Sequence, residues 1–150
     1  MRARVWHRLA CLLLASAVGC TGSDHAHVEG SPSGPVTCEA SLKVPEGFEV
    51  TESFEDPYQD HIGIRIGFRD ASDRELHYFA GIRGEFGEGL PLKAQVGLAT
   101  GEQGSLLGAD ETWVLVWQTE GPCAAHAVLG SRFTRPEFLE MLQQSGVSVG

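Results

Sequence analysis

The chain has 150 residues, 42% of them hydrophobic, with 11 basic and 20 acidic side chains and a formal charge of −9. That length suits one ordinary domain with a real core. The excess of acid repels phosphate backbones, which argues against nucleic acid as a partner.

The first eight residues carry Arg2, Arg4 and Arg8, and an apolar run follows from Leu9 to Val18, centred on Leu12-Leu13-Leu14. It closes on small residues, Ala15-Ser16-Ala17-Val18-Gly19, before Cys20. Charged tip, apolar middle and small-residue end are the parts of a secretory signal peptide, here residues 1–19. The run is shorter than the ~20 residues a spanning helix needs. Ala17-Val18-Gly19-Cys20 resembles a bacterial lipobox. The resemblance implies that Cys20 is lipidated and becomes the mature N-terminus. The protein would then be exported and held by its lipid on the outer face of the cell membrane, or on the outer membrane. Ala15-Ser16-Ala17 also fits an A-x-A cleavage site, which would release a soluble protein beginning at Val18. The cysteines favour lipidation. Cys11 leaves with the leader, and lipidation of Cys20 leaves an even pair, Cys38 and Cys123. Soluble secretion would leave an odd thiol in an oxidising compartment.

Removing the leader takes three of the 11 basic residues and none of the 20 acidic ones, so the mature part carries 8 against 20, a formal −12. The chain has no Asn and so no N-x-S/T glycosylation site. Residues 20–35 comprise the anchor Cys and the polar stretch Thr21 to Pro35, rich in Gly, Ser and Pro. Such a segment buries too little apolar area to offset its ordering entropy, and is read as a tether. The globular domain is residues 36–150.

The domain reads mostly as strands. Phe48, Val50 and Ser53 alternate after the Pro45-Glu46-Gly47 turn. From Ile62 to Phe68, the residues Ile62, Ile64, Ile66 and Phe68 share one face. Asp70 to Asp73 is turn chemistry, and Glu75 to Arg83 returns with Leu76, Tyr78, Ala80 and Ile82 on one face. Pairing about that turn sets Arg69 opposite Glu75 and Phe68 opposite Leu76, which satisfies both faces at once. Gly84 to Pro91 is a glycine-rich loop. Strands resume over Leu92–Thr100, Ser105–Gly108, Thr112–Thr119 and Cys123–Leu129. Both faces of Thr112–Thr119 are apolar, which predicts a central strand with one face on a helix. Thr134-Arg135-Pro136-Glu137 has the form of a capping box, and Phe133 with Phe138 that of a hydrophobic staple. A helix therefore starts there and runs to a C-cap near Gly146, with Phe138, Leu139, Met141 and Leu142 as its apolar stripe. The expected fold is α+β: a mainly antiparallel sheet of five to seven strands with one C-terminal helix packed on a face. A Cys38–Cys123 disulfide ties its start to a late strand. Trp113 to Trp117, the next strand and Thr134 to Phe138 are together similar to uncharacterised domains of bacterial extracytoplasmic proteins. In those a Trp-containing strand precedes a Gly-ended strand and a short final helix. No functional residue is implied by that resemblance.

Chemistry is sparse. His25 and His27, flanked by Asp24 and Glu29, are candidate Zn²⁺ or Cu²⁺ ligands, but a tether does not fix their geometry. His61, His77 and His126 are dispersed, with His77 on an outer face beside Arg65 and Arg69. Elbow, S-x-x-K and H-E-x-x-H signatures are missing. In Gly84-Glu85-Phe86-Gly87-Glu88-Gly89 the glutamates would repel phosphate. Phe86 is either an apolar contact of a binding loop or a core residue at a tight crossing between strands. Trp113 and Trp117 share a strand face and read as core. The sequence thus predicts a lipid-anchored, non-enzymatic binding or accessory domain with no cofactor, whose partner is an envelope protein or an extracellular ligand. A small exported enzyme and a metal-binding lipoprotein using His25 and His27 stand as alternatives.

Overall fold

The computed structural model describes residues 35–150. The leader, Cys20, the His25–His27 pair and nearly all of the tether lie outside the described residues.

Eight strands and one helix follow in order: β1 (Val36–Thr37), β2 (Phe48–Tyr58), β3 (His61–Asp70), β4 (Glu75–Gly81), β5 (Leu92–Gly97), β6 (Gln103–Ala109), β7 (Thr112–Gln118), β8 (Ala125–Ser131) and α1 (Arg135–Gln144). They form one sheet in the order β1-β3-β4-β8-β7-β6-β5, with β2 also paired to β3. This is the α+β architecture expected. The two-residue β1 takes the count past the expected five to seven. All pairs are antiparallel except β1, which runs parallel to β3 at His61 and Ile62, beyond the reach of β4.

The β3–β4 hairpin has the register that its apolar alternation specifies. Phe68 faces Leu76, and Arg69 faces Glu75 with the two side chains paired. Its turn is held by Asp70, whose Oδ1 accepts the backbone N–H groups of Ser72 and Arg74, both at 2.9 Å. Arg74 Nε donates to Asp70 Oδ2 at 2.7 Å, and the guanidinium lies 5.1 Å from the centre of the Phe133 ring.

Registers align the helix-side residues in three rows across the sheet. Phe68, Leu76, Gly130, Trp113 and Gly108 form one; Ile66, Tyr78, Val128, Leu115 and Leu106 the next; Ile64, Ala80, His126, Trp117 and Gly104 the third. In the first row glycines make room for large rings. A Cβ on Gly108 would sit 2.3 Å from Trp113 Cε3, and one on Gly130 2.6 Å from Phe138 Cδ2. Trp113 Nε1–H donates to the Phe133 carbonyl at 3.0 Å, so its one polar group is satisfied in the core. Helix α1 lays Phe138, Met141 and Leu142 into this face.

The capping box forms as read: both the N–H and the hydroxyl of Thr134 donate to Glu137 Oε2, at 2.8 and 2.6 Å. The rings of Phe133 and Phe138 lie 6.2 Å apart. Ser145 is the C-cap, and Gly146 follows at φ +88°, the left-handed turn that glycine accepts most readily. The chain then returns along β5, with a bridge between Leu98 and Val149.

β4 and β5 lie far apart in the sheet, so residues 82–91 must cross it. They cross on the face opposite the helix. Gly87 packs over Val114 and Leu107, and Phe86 lies against Phe79 with ring centres 4.7 Å apart. Both faces of β7 are covered, one by α1 and one by this strap. Val114 and Leu115 are fully buried. The glycine-rich loop is thus a crossing, but Phe86 is not in the core as a crossing was expected to place it: it lies half-buried on the outer face against Phe79, because the strap passes over the side of the sheet away from the helix.

Candidate functional site

Where the third row ends, four segments meet: the chain after β1, the β5–β6 turn, the β7–β8 turn, and the tail beyond α1. The Cys38–Cys123 disulfide, as expected, ties the first of these to the third across 85 residues of sequence. Between the segments lies a cleft of about 200 Å³, lined among others by Ser41, Glu102, Trp117, Thr119, His126 and Ser148.

His126 is the buried centre of a polar chain. Its ring stacks on Trp117, with centroids 5.1 Å apart and planes 11° from parallel. Nδ1 lies 3.2 Å from the Tyr78 hydroxyl and Nε2 lies 3.0 Å from the Thr119 hydroxyl. The Tyr78 hydroxyl is 3.2 Å from Ser41 Oγ. Either direction of donation along the chain engages both ring nitrogens, and one of the two also uses the Cys123 carbonyl. In that one Thr119 Oγ1–H donates to the Cys123 carbonyl at 3.5 Å, and His126 Nε2–H then donates to Thr119. Tyr78 O–H donates to Nδ1, and Ser41 O–H to Tyr78. Burial pushes the imidazole below its ordinary acidity range, against the opposing pull of the Cys123 carbonyl and the Glu102 charge. Both ring nitrogens are thus engaged within the protein. The imidazole is a positioning group that fixes Trp117 and the cleft wall.

Glu102 differs. It is half-buried in the β5–β6 turn, where its Oε2 is shielded from solvent and the Thr100 side chain hydrogen-bonds its carboxyl. The Thr100 side chain, then its own backbone N–H, hold its carboxyl below the ordinary range, so it is ionised at neutral pH.

The other two described histidines, His61 and His77, lie elsewhere. His77 is on the outer face, as read, with Nδ1 3.5 Å from Glu52 and Nε2 3.9 Å from Glu75. His61 Nδ1 is 2.7 Å from Asp60. Among the described residues no three His, Cys, Asp or Glu side chains gather as a metal site. Trp113 and Trp117 are core, as read. Phe86 lines a groove of about 250 Å³ on the outer face with Phe79, Arg65 and His77. Glu102 and the Tyr78–His126–Thr119 chain carried no local signal, because their members lie on separate strands and turns.

A second surface is the edge strand β2. It pairs only with β3, so its other edge is open among the described residues. Val50, Phe54 and Tyr58 are 54%, 53% and 40% exposed, far more than such residues show in a core. Between them stand Glu52, Glu55 and Asp56, and Arg83 lies 4.7 Å over the Tyr58 ring. No helix among the described residues is long and apolar enough to cross a membrane. No protein-family model matches the chain, and neither a curated protein nor a solved structure matches it.

Proposed function

We propose that this chain is an exported lipoprotein, anchored through Cys20, whose domain is a non-enzymatic docking module for an envelope protein. One observation carries the docking reading: the open edge of β2, eleven residues long, with Val50, Phe54 and Tyr58 exposed. An open edge offers a row of backbone N–H and C=O groups to an added strand. Alternating side chains then supply specificity. The acids Glu49, Glu52, Glu55 and Asp56 make this edge unfavourable for a second copy of itself and favourable for an extended basic segment. The His126 chain supports the non-enzymatic half of the reading, since its imidazole is already used on both sides.

The test is site-specific photo-crosslinking in the cells that export the protein. A photoreactive residue at Phe54 is expected to give one discrete adduct. The adduct should disappear in the paired charge reversal Glu52→Lys with Glu55→Lys, and the captured segment should be basic. A photoreactive residue at Val44, which is also exposed but lies off the sheet, serves as control. Equal adducts at both positions, or an adduct that survives the charge reversal, would overturn the reading.

A further inference from the structure

We infer that the groove between Phe79, Phe86 and Arg65 on the outer face of the sheet binds a small free carboxylate with an aromatic body, the carboxylate on Arg65 and the body against the rings. This goes beyond the docking role of β2 and does not rest on it.

Glycines set the shape of the groove. Phe79 leans over Gly81, and Phe86 folds back over Gly84: a Cβ would lie 2.6 Å from Phe79 Cζ at Gly81 and 2.1 Å from Phe86 Cζ at Gly84. Neither ring could take that place over a side chain. Beside Phe79 the floor falls to its register partner Ala127, which is small and buried. His77 and Leu129, partners in the next row, close the other side. The strap holds Phe86 in place, because Gly87 packs on Val114 and Leu107. The space left is about 250 Å³, enough for one ring and a short stem. A third ring set against Phe79 and Phe86 gains offset or edge-to-face contacts.

The charge at the rim names the head group. Arg65 is exposed, lines the groove and faces Phe79 in register. Its neighbours on this face are engaged, Arg69 with Glu75 and Arg83 with the Tyr58 hydroxyl and ring. Arg65 makes no ion pair among the described residues. Glu52 also lines the groove, but it is directed along the next row. Its side chain lies across Gly67, where a Cβ would be 2.6 Å from Glu52 Cγ, and its Oε1 is 3.5 Å from His77 Nδ1. Water satisfies an exposed guanidinium, so the charge alone selects nothing. Its place at the mouth of an apolar groove does, because one molecule can then match both. A carboxylate fits the guanidinium fork with two parallel hydrogen bonds, and the apolar body joined to it leaves water for the rings. An ammonium head would meet like charge, and an uncharged body would leave the fork unmatched.

The test is an NMR titration of the full chain with three probes: phenylpropanoate, phenylpropylammonium and acetate. Phenylpropanoate should shift the Phe86 and Ala127 amides and the methyl signals of Ala127 and Leu129. Phenylpropylammonium, the same body with the opposite charge, and acetate, the head group without the body, should both bind more weakly. Arg65→Gln should weaken phenylpropanoate binding by about tenfold or more, the loss expected for hydrogen bonds to a charged group. Arg65→Lys, which keeps the charge and loses the fork, should fall between the two. Arg65 is exposed, so neither change disturbs the core. Arg83→Gln, beside Tyr58, should leave the affinity unaltered. Either control probe binding as tightly as phenylpropanoate would overturn the site, as would no groove shift or an affinity indifferent to Arg65→Gln. A loss in Arg83→Gln as large as that in Arg65→Gln would also overturn it, by placing the head group elsewhere. The probes are added to the chain without an envelope partner, so this proposal and the β2 cross-link can fail separately.

Discussion

Gly130 shows how a single position sets the packing between sheet and helix. Its missing side chain lets Phe138 lie against the sheet, and a Cβ there would be 2.6 Å from Phe138 Cδ2 and 3.0 Å from Phe133 Cδ2. Gly130→Ala must push the helix outward or force a ring from its rotamer. A loss of about 1–3 kcal/mol is expected, read as a lower midpoint in chemical denaturation. His126 controls a different observable. Burial lowers its folded pKa below the ordinary value near 6.5. Above that pH neither state binds the proton, and the residue adds no slope. As pH falls below about 6.5 the unfolded chain takes the proton and the native one does not, so stability falls with pH until the native ring titrates. His126→Asn should flatten the stability profile between about pH 7 and pH 5.5. An unchanged slope would mean that the ring is not the buried group described here. The carboxylates act in a lower window. Burial raises Asp70, but hydrogen bonds from Arg74 and Ser72 outweigh it, and the net shift is downward. Thr134 does the same for Glu137. Their contributions are complete above the unfolded values near 4 and are lost as pH falls through the folded ones.

At the scale of elements, the sequence is most readable where one segment states both its own structure and its partner. The β3–β4 hairpin does this. Its apolar alternation, its Asx turn and the Arg69–Glu75 pair all demand one register, and that register is present. The start of α1 is equally explicit, because the capping box and staple lie within six residues. Thr134→Ala should cost about 1 kcal/mol, since it removes the cap while leaving the buried stripe intact. Thermal unfolding with an unaltered midpoint would show that the cap is dispensable. β2 is the opposite case. FEVTESFEDPY carries acids toward both faces, a bulge between Val50 and Glu52, and a proline near its end. An edge strand needs no strict alternation, so only its first residues were legible. The strap over residues 82–91 was visible as glycine-rich chain, but its path depends on where β5 joins the sheet, which no local pattern encodes. The cleft was illegible for the same reason. Ser41 meets Tyr78 across 37 residues, and Tyr78 meets His126 across 48.

At the scale of the whole molecule, the described domain is cross-linked near its start, and the segment before it carries the proposed export and lipidation signal. The disulfide closes a long loop, and chain-entropy arguments put its contribution at about 4–5 kcal/mol. Paired Cys38→Ser and Cys123→Ser changes should lower the denaturation midpoint and loosen the cleft, because Cys123 belongs to the turn that Thr119 bonds. A variant as stable as the parent would show that packing alone sets this end of the sheet. The bond also bears on location, since such bridges persist in oxidising compartments outside the cytosol. That is the compartment the proposed leader implies, and the proposed docking edge would then face extracytoplasmic partners. Anchoring is the claim on which this placement rests, and it is tested most directly by the intact mass of the protein extracted in detergent from its host's membranes. The account predicts a chain that begins at Cys20, carries a diacylglycerol adduct and lacks the two hydrogens of the Cys38–Cys123 bond. A chain that begins at Val18 without lipid would contradict it.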